Sequence, residues 1–419
     1  MFKTKMQSSY IKLNQLITFR FFFRLPIIIF FLFTSAVVYF VILIAKPFKT
    51  IKIYTFDAGA FGHYYSDSFL TNLFKKRNHL IFSYISGDDK YSNKFLKHFI
   101  KKKFINSIFF KYLDFLATFL PFGKNLKSFD FRFYAGSKDI FGLFYYKRKL
   151  AINFSDIKER EFNKFLENYG IDRKDKIVTI NIRDNYYYHV LKKNITSNSF
   201  ARNSLAYQDL IPTLIELKKR KYKILRIGRF REPLNGNLNN LIIDLVDKNS
   251  DPAFDFWICK RTSLHLGHNG GIDALPGYFQ KKCLMFEISF ITEVFNWCPG
   301  IASLSRLYWK KNDNFLTLNE YLNLSYNNQK NKKFLETEIY REKVNPQDIL
   351  DLTINTLDNQ ILANGRQKKL IRLLKEWDRN NLNKNNMNKE LKRYFIFFHP
   401  KFNFSEKFLD YAGEKWMDN

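Results

Sequence analysis

The sequence predicts an α/β protein of two domains, the second a parallel sheet wound on both faces, behind one membrane-spanning helix, and three observations predict it. Short apolar runs ending in Gly, Arg or Asp alternate with stretches of helical periodicity from about residue 51 to 365. The chain has 419 residues, enough for two domains of roughly 100–200 residues each. Leu25 to Ala45 is an uncharged apolar run, long enough at ~1.5 Å per residue to cross ~30 Å of hydrocarbon. The boundaries are a basic segment 1–24, the anchor 25–45, a first domain 51–150, a second domain 151–365 and a helical tail 366–419.

Lys3, Lys5, Lys12, Arg20 and Arg24 precede the anchor without an acid among them. The run exceeds the usual ~7–15-residue signal-peptide core and has no small-x-small cleavage site after it, so it reads as a retained anchor. Lys46, Lys49 and Lys52 make the far side basic too, but the larger count lies N-terminal, which by charge puts the N-terminus inside and the body outside the cytoplasm. The formal net charge is +30. Lys, Asn, Ile, Phe and Tyr are abundant together, the mark of a base-composition bias. No RNP, zinc-finger or basic-helix signature turns the charge into nucleic-acid recognition. An anionic membrane or a phosphorylated ligand is the expected partner. Cys259, Cys283 and Cys298 form no C-x-x-C and read as reduced, structural thiols, and the scattered His and Cys predict no metal site.

In the first domain, Ile51–Phe56 alternates like a strand and ends at Asp57–His63, followed by a helix and a second strand, Leu80–Ile85. Asp57 and His63 lie at a strand end and in its loop, where reactive groups sit on a rigid scaffold. The second domain opens with a helix over 154–170, with Ser155 as its cap, Asp156 and Glu159 in its first turn and Gly170 to end it. The buried strand 176–182 delivers Arg183 and Asp184 to its carboxyl end, and Arg there suits a bidentate phosphate contact. A loop (186–199), an amphipathic helix (207–220), strands at 222–227 and 241–245 and a helix from Ser250 to Lys260 follow.

The chain then reaches the stretch Ser263–Pro276: an apolar strand, glycines at 267, 270 and 271, and a helix start with Asp273 at its cap. Glycines permit positive φ and close ligand approach, and a helix start presents unpaired N–H groups to an anion. The next strand is Lys282–Glu287. Beyond it Trp297, Pro299 and Trp309 read as loop until Asn345–Pro346 starts a helix that Gly365 stops. Residues 380–389 read as a solvated link to the segments Phe395–Phe398 and Phe402–Leu409.

Ile182-Arg183-Asp184 with a tyrosine close behind, Ala201-Arg202-Asn203 with Tyr207, Leu225–Arg229, Ile243-Asp244-Leu245, Asp255 and Leu266–Gly271 together resemble a family of bacterial glycosyltransferases of surface-polysaccharide type. The family reads R-D-x-x-Y, R-N-x-x-x-x-Y, R-M-G, I-D-Y and F-x-G-T-x-S-G. The chain departs from it at Ile227, Leu245, His268 and Gly270. The match spans roughly 155–365, and the tail near Phe395–Leu409 is similar.

The resemblance implies a GT-B-like pair of Rossmann-like domains. The first takes a lipid-linked or polysaccharide acceptor. The second binds a nucleotide-sugar donor, without metal or other cofactor. It implies donor contacts at Arg183, Arg202, Asn203, Arg226, Gly228, Asp244, Asp255, Gly267, His268, Asn269, Gly270 and Gly271, and a general base among His63, Asp57 and Asp184. Nucleotide sugars are cytoplasmic, so it also places the body on the cytoplasmic face, against the charge count. With the family's Thr and Ser lost from the glycine turn, the alternative is a non-catalytic carbohydrate- or phosphate-binding protein on a degenerate form of the same fold.

Overall fold

The computed structural model describes residues 20–45, 47–58, 61–75, 78–86, 93–120, 126, 139, 142–147, 152–182, 186, 205–229, 232–234, 236–268, 270–325, 332–358, 365–384 and 397–417. The chain divides into two compact units, one of residues 1–59, 74–92 and 96–130, the other of 60–73, 93–95 and 131–419.

The first unit begins with α1 (Arg20–Ala45), whose stretch Leu25–Ala45 is long and apolar enough to cross a membrane. β1 (Thr50–Asp57) follows, then α2 (Phe61–Phe74), which belongs almost wholly to the second unit, then β2 (His79–Ser86), α3 (Lys94–Lys103), β3 (Ile105–Asn106) and α4 (Phe109–Ala117). The three strands form a parallel sheet in the order β1-β2-β3. One face of α1 is part of this unit's core: Tyr39 and Ile42 are buried with Ile51, Ile53 and Tyr84 of the sheet and Phe110 and Leu113 of α4, and Phe31 stacks on Tyr112 at 5.0 Å. The opposite face leaves Phe33, Phe40 and Ile44 about 70% exposed, a contiguous apolar stripe of the kind that marks a lipid or protein contact.

The second unit is built on a seven-stranded parallel sheet. Its elements are α5 (Asp156–Glu167), β4 (Ile177–Asn181), α6 (Ile211–Lys219), β5 (Lys223–Arg226), β6 (Ile243–Asp244), α7 (Phe254–Arg261), β7 (Leu264–Gly267), α8 (Ala274–Tyr278), β8 (Lys282–Ile288), β9 (Gly300–Leu304), β10 (Leu307–Trp309), β11 (Asn314–Phe315), β12 (Ile339–Arg341), α9 (Pro346–Leu357), α10 (Gly365–Lys384), β13 (Phe402–Phe404) and α11 (Glu406–Met417). The local signals behave as chemistry dictates. Ser155 Oγ accepts the Lys158 N–H, Asn345 Oδ1 accepts the Gln347 N–H at 2.9 Å with Pro346 in the first turn, and Gly170 leaves α5 with φ +66°.

Every strand of β4, β7 and β9 is buried on both faces, as a parallel sheet covered by helices requires. The core on one face of that sheet gathers Val178, Ile180, Leu266 and Leu284 from the strands with Leu214 of α6 and Ile349 of α9. All three cysteines are free and buried.

Four expectations are corrected. The region after Glu287 is not loop: β9 joins the main sheet, and β10, with Trp309 at its end, pairs antiparallel with β11 and β12. These strands are two to five residues long, too short for alternation to show. The tail is not only helical, because β13 pairs in parallel with β9 as an edge strand of the main sheet. Gly365 starts α10 rather than ending α9, which stops at Leu357 with Asp358 as its C-cap. The helix 207–220 opens as a 3-10 turn over Tyr207–Leu210 before α6. Residues 187–199 of the expected loop and 385–389 of the expected link lie outside the described residues.

Candidate functional site

The strand order β13-β9-β8-β7-β4-β5-β6 contains the order of a doubly wound dinucleotide fold, with β4 as its first strand and β7 as its fourth. From β4 the chain winds outward through β5 and β6, then returns to β7 and winds the other way. At such a reversal in a doubly wound sheet the connections leave on opposite faces, and ligands bind in the crevice outside the carboxyl ends of the two strands concerned, here β4 and β7. Asn181 of β4 lies in register with Gly267 of β7 there. The glycine turn after β7 and the carboxyl end of β4 therefore meet at this point.

The turn is organised by a buried carboxylate. Asp273 is fully buried. Its Oδ1 accepts from Asn181 Nδ2 at 2.7 Å and meets His265 Nε2 at 2.9 Å, and its Oδ2 accepts the Gly270 N–H. A carboxylate only accepts, so the His265 proton facing it sits on Nε2. The other ring nitrogen, Nδ1, meets Thr179 Oγ1 at 3.0 Å, and Thr179 donates to Thr262 Oγ1 at 3.1 Å. Burial pushes the Asp273 carboxyl up, but the bonds from His265, Asn181 and Gly270 outweigh it and hold it below its ordinary value.

This arrangement corrects two expectations about the turn. Asp273 stands at the cap position of α8 but makes no capping bond, because its side chain is turned back into the glycine loop. Gly267, Gly270 and Gly271 are not in the left-handed region. What they supply is room. A Cβ on Gly267 would lie 2.8 Å from His265 Nε2, and one on Gly270 would lie 2.7 Å from Asp273 Oδ2. A Cβ on Gly271 would lie 3.1 Å from the Gly62 nitrogen at the start of α2, and Tyr65 Oη donates to the Gly271 carbonyl at 2.6 Å. The helix after the turn has five residues, and the Gly270 amide already holds an anion of the chain itself. The turn is thus a buried strut rather than an open anion cradle.

A second network ties the neighbouring strand ends together. Tyr207 Oη accepts the Ile182 N–H at 3.0 Å and the Arg226 Nε–H at 3.2 Å. Arg226 is 1% exposed, and its other donors reach Asp244 Oδ2 at 3.2 Å and the Glu232 carbonyl at 2.6 Å. Asp244 Oδ1 also accepts the Val246 N–H at 3.1 Å. Three of the sequence motifs, carried by Tyr207, Arg226 and Asp244, thus cross-brace the carboxyl ends of β4, β5 and β6.

Just beyond that brace, Gly228 turns the chain with φ +110° and Arg229 is exposed. Asp255, in the first turn of α7, is half-buried. Desolvation pushes its carboxyl up to about 6, Arg229 opposes the shift and Asp247 adds to it. A carboxyl raised in the folded state binds more protons folded than unfolded, so its contribution to stability falls as pH rises from about 4 to about 6. Asp255→Asn is expected to raise stability at pH 7.5 by about 1–3 kcal/mol and to flatten the pH profile across that window. Thermal unfolding of the two proteins at pH 4.5 and 7.5 reads it, and an equal deficit in the variant at both pH values overturns it.

The remaining sequence candidates distribute as follows. Asp57 ends β1 in the first unit, and His63 lies in the first turn of α2 in the second; their side chains are outside the described set. Arg183, Asp184, Arg202, Asn203 and Asn269 also lie outside the described residues. His268 is fully buried directly after β7. Among the described residues no group of three or more His, Cys, Asp or Glu side chains is arranged to hold a metal. Sequence reading missed Thr179, Asn181, Thr262 and His265. The available signal was polar residues standing at positions that the apolar strand pattern assigns to the core, since a buried polar group needs a partner.

No family model matches the chain, and no curated protein matches it. Among solved structures it is similar to the crystal structure of the glycosyl transferase family 9 from Veillonella parvula DSM 2008, at 10% identity over 74% of this chain and 98% of that one, with a TM-score of 0.43.

Proposed function

We propose that this chain is a membrane-anchored glycosyltransferase of GT-B type, moving a sugar from a nucleotide-sugar donor to a lipid-linked or surface-polysaccharide acceptor. The observation that carries the reading is the strand order. It brings the motif-bearing ends of β4 and β7 to one crevice, where doubly wound sheets bind nucleotides. The donor's diphosphate is neutralised by Arg183 and Arg202, without metal, with the backbone around Asn269 as a further contact. Arg226 holds Asp244 in place, and Asp244 and Asp255 take hydroxyls of the ribose or the sugar. A base from His63, Asp57 or Asp184 removes the acceptor's proton. The exposed apolar stripe of α1 lies in lipid, and the body stands on the cytoplasmic face, where nucleotide sugars are.

A panel of UDP-, GDP-, ADP- and CMP-sugars tests this by thermal shift on the full chain in detergent, beside Arg183→Ala. One nucleotide class is expected to stabilise the parent by about 2–3 kcal/mol at a hundredfold excess over Kd, and to leave the variant unmoved. A folded parent that responds to none of them overturns it. A reporter fused at Asn419 that reads periplasmic overturns the cytoplasmic placement.

One observation favours a second reading, a non-catalytic carbohydrate- or phosphate-binding protein. The turn where the family carries Thr and Ser here carries His268 and Gly270, and the Gly270 amide is occupied by Asp273. Donor hydrolysis that disappears in Arg183→Ala rules that reading out.

A further inference from the structure

A second cleft, of about 170 Å³, lies at the carboxyl ends of β8, β9 and β13 in the second unit. β9 is two strands from β7, so this cleft stands about 10 Å along the sheet edge from the crevice described above. Its floor is polar and buried: Glu287, Ser303, Ser305 and Ser405 are 2–6% exposed.

Glu287 is held there by an unusual backbone. It has φ +46°, in the left-handed region that favours glycine, at the point where the β8–β9 register shifts between Met285 and Ile288. Bulges of this kind re-aim a side chain at the end of a strand, and strained non-glycine residues gather at binding sites. Its Oε1 accepts the Val344 N–H at 2.8 Å. Burial pushes the carboxyl up, while Val344 and Arg341 draw it back.

The charges at the rim are matched. Arg306 pairs with Glu342 at 3.1 Å, Lys407 with Asp348 at 2.7 Å, and Lys343 with Asp209 at 2.7 Å. An anionic ligand would have to break one of these pairs, whereas a neutral polyol need not. Serine hydroxyls both donate and accept, and a carboxylate accepts paired hydroxyls, which is the hydrogen-bonding complement of a sugar ring. Phe408 adds an apolar wall for its C–H face. The volume is below the roughly 300–1,000 Å³ of drug-sized pockets and is too small for a whole nucleotide sugar.

We propose that this cleft is a binding site for a single neutral sugar unit, with Glu287 and Ser303 as its hydroxyl-binding floor. The proposal stands on the cleft alone and not on the glycosyl-transfer reading.

The test is saturation-transfer NMR on the full chain in a detergent without a sugar headgroup. The probes are the methyl glycosides of glucose, galactose, mannose and N-acetylglucosamine. At least one is expected to bind saturably, about tenfold more weakly in Glu287→Gln and about threefold more weakly in Ser303→Val. Glu287→Gln keeps the acceptor for Val344, and if it fails to fold, Ser303→Val decides. No saturable glycoside with the folded parent, or binding unchanged in both variants, overturns the proposal. The nucleotide panel separates this site from the crevice. Glycoside binding without any nucleotide response keeps this site and sinks the donor site, and a nucleotide response without glycoside binding does the reverse.

Discussion

Asp273→Ala is expected to destabilise the second unit by about 3–5 kcal/mol, the cost of removing the acceptor at the centre of a buried hydrogen-bond network and leaving three buried donors without it. The substitution leaves the Asn181 amide, His265 Nε2 and the Gly270 N–H without the carboxylate that engages them, all beside the strand ends that form the switch-point crevice. Asparagine does not restore the network, because its NH2 would face a donor. In thermal unfolding the loss is about 10 °C for a unit of this size.

The pH dependence carries the same signature. The Asp273 carboxyl is depressed in the folded protein, so its stabilisation is present in full above the ordinary carboxylate value and is lost as pH falls through the folded one. The gap between parent and variant is therefore expected to be wide at pH 7 and to narrow below about pH 4. A variant that unfolds within about 1 kcal/mol of the parent at pH 7 would show that the network does not hold the turn.

Gly300→Ala is expected to cost more, over about 4 kcal/mol, or to prevent the sheet from forming. Gly300 opens β9 with φ +154°, and a Cβ there would lie 1.9 Å from the carbonyl oxygen of Cys283, its partner on β8. The obstacle is backbone of an internal strand, so no side chain can swing aside. Gly236→Ala is the control: its φ is +55° but nothing lies within 4 Å of the added atom, so only the left-handed strain remains, about 1 kcal/mol. Equal losses in both variants, read by chemical denaturation of the purified full chain, would rule out the clash at β9 as the cause.

Residues adjacent in sequence determined a good deal by themselves. The apolar run Leu25–Ala45, the Ser155 and Asn345–Pro346 helix starts and the buried strands at 177–181, 223–226, 264–267 and 282–288 are local statements of periodicity and capping, and each is found where the pattern puts it. Composition and alternation also sufficed to predict a parallel, doubly wound sheet.

Tertiary structure decided the rest, for reasons that no local window contains. β9, β11 and β13 exist because a neighbouring strand offers hydrogen bonds to segments too short to declare themselves, and β13 is nearly a hundred residues from the strand it joins. Gly267, Gly270 and Gly271 looked like a loop freed to turn around a ligand. The fold uses them to admit the Asp273 carboxylate and the backbone of Gly62, contacts that depend on chain more than two hundred residues away in the second case. Arg226 is one of the donor contacts that the family resemblance implies. With Tyr207 and Asp244 brought against it, it is a buried brace. A motif names the residue types present at a strand end. Whether an arginine or a glycine there faces a ligand or the protein's own interior is set by which strands lie beside it, and that is a property of the folded sheet.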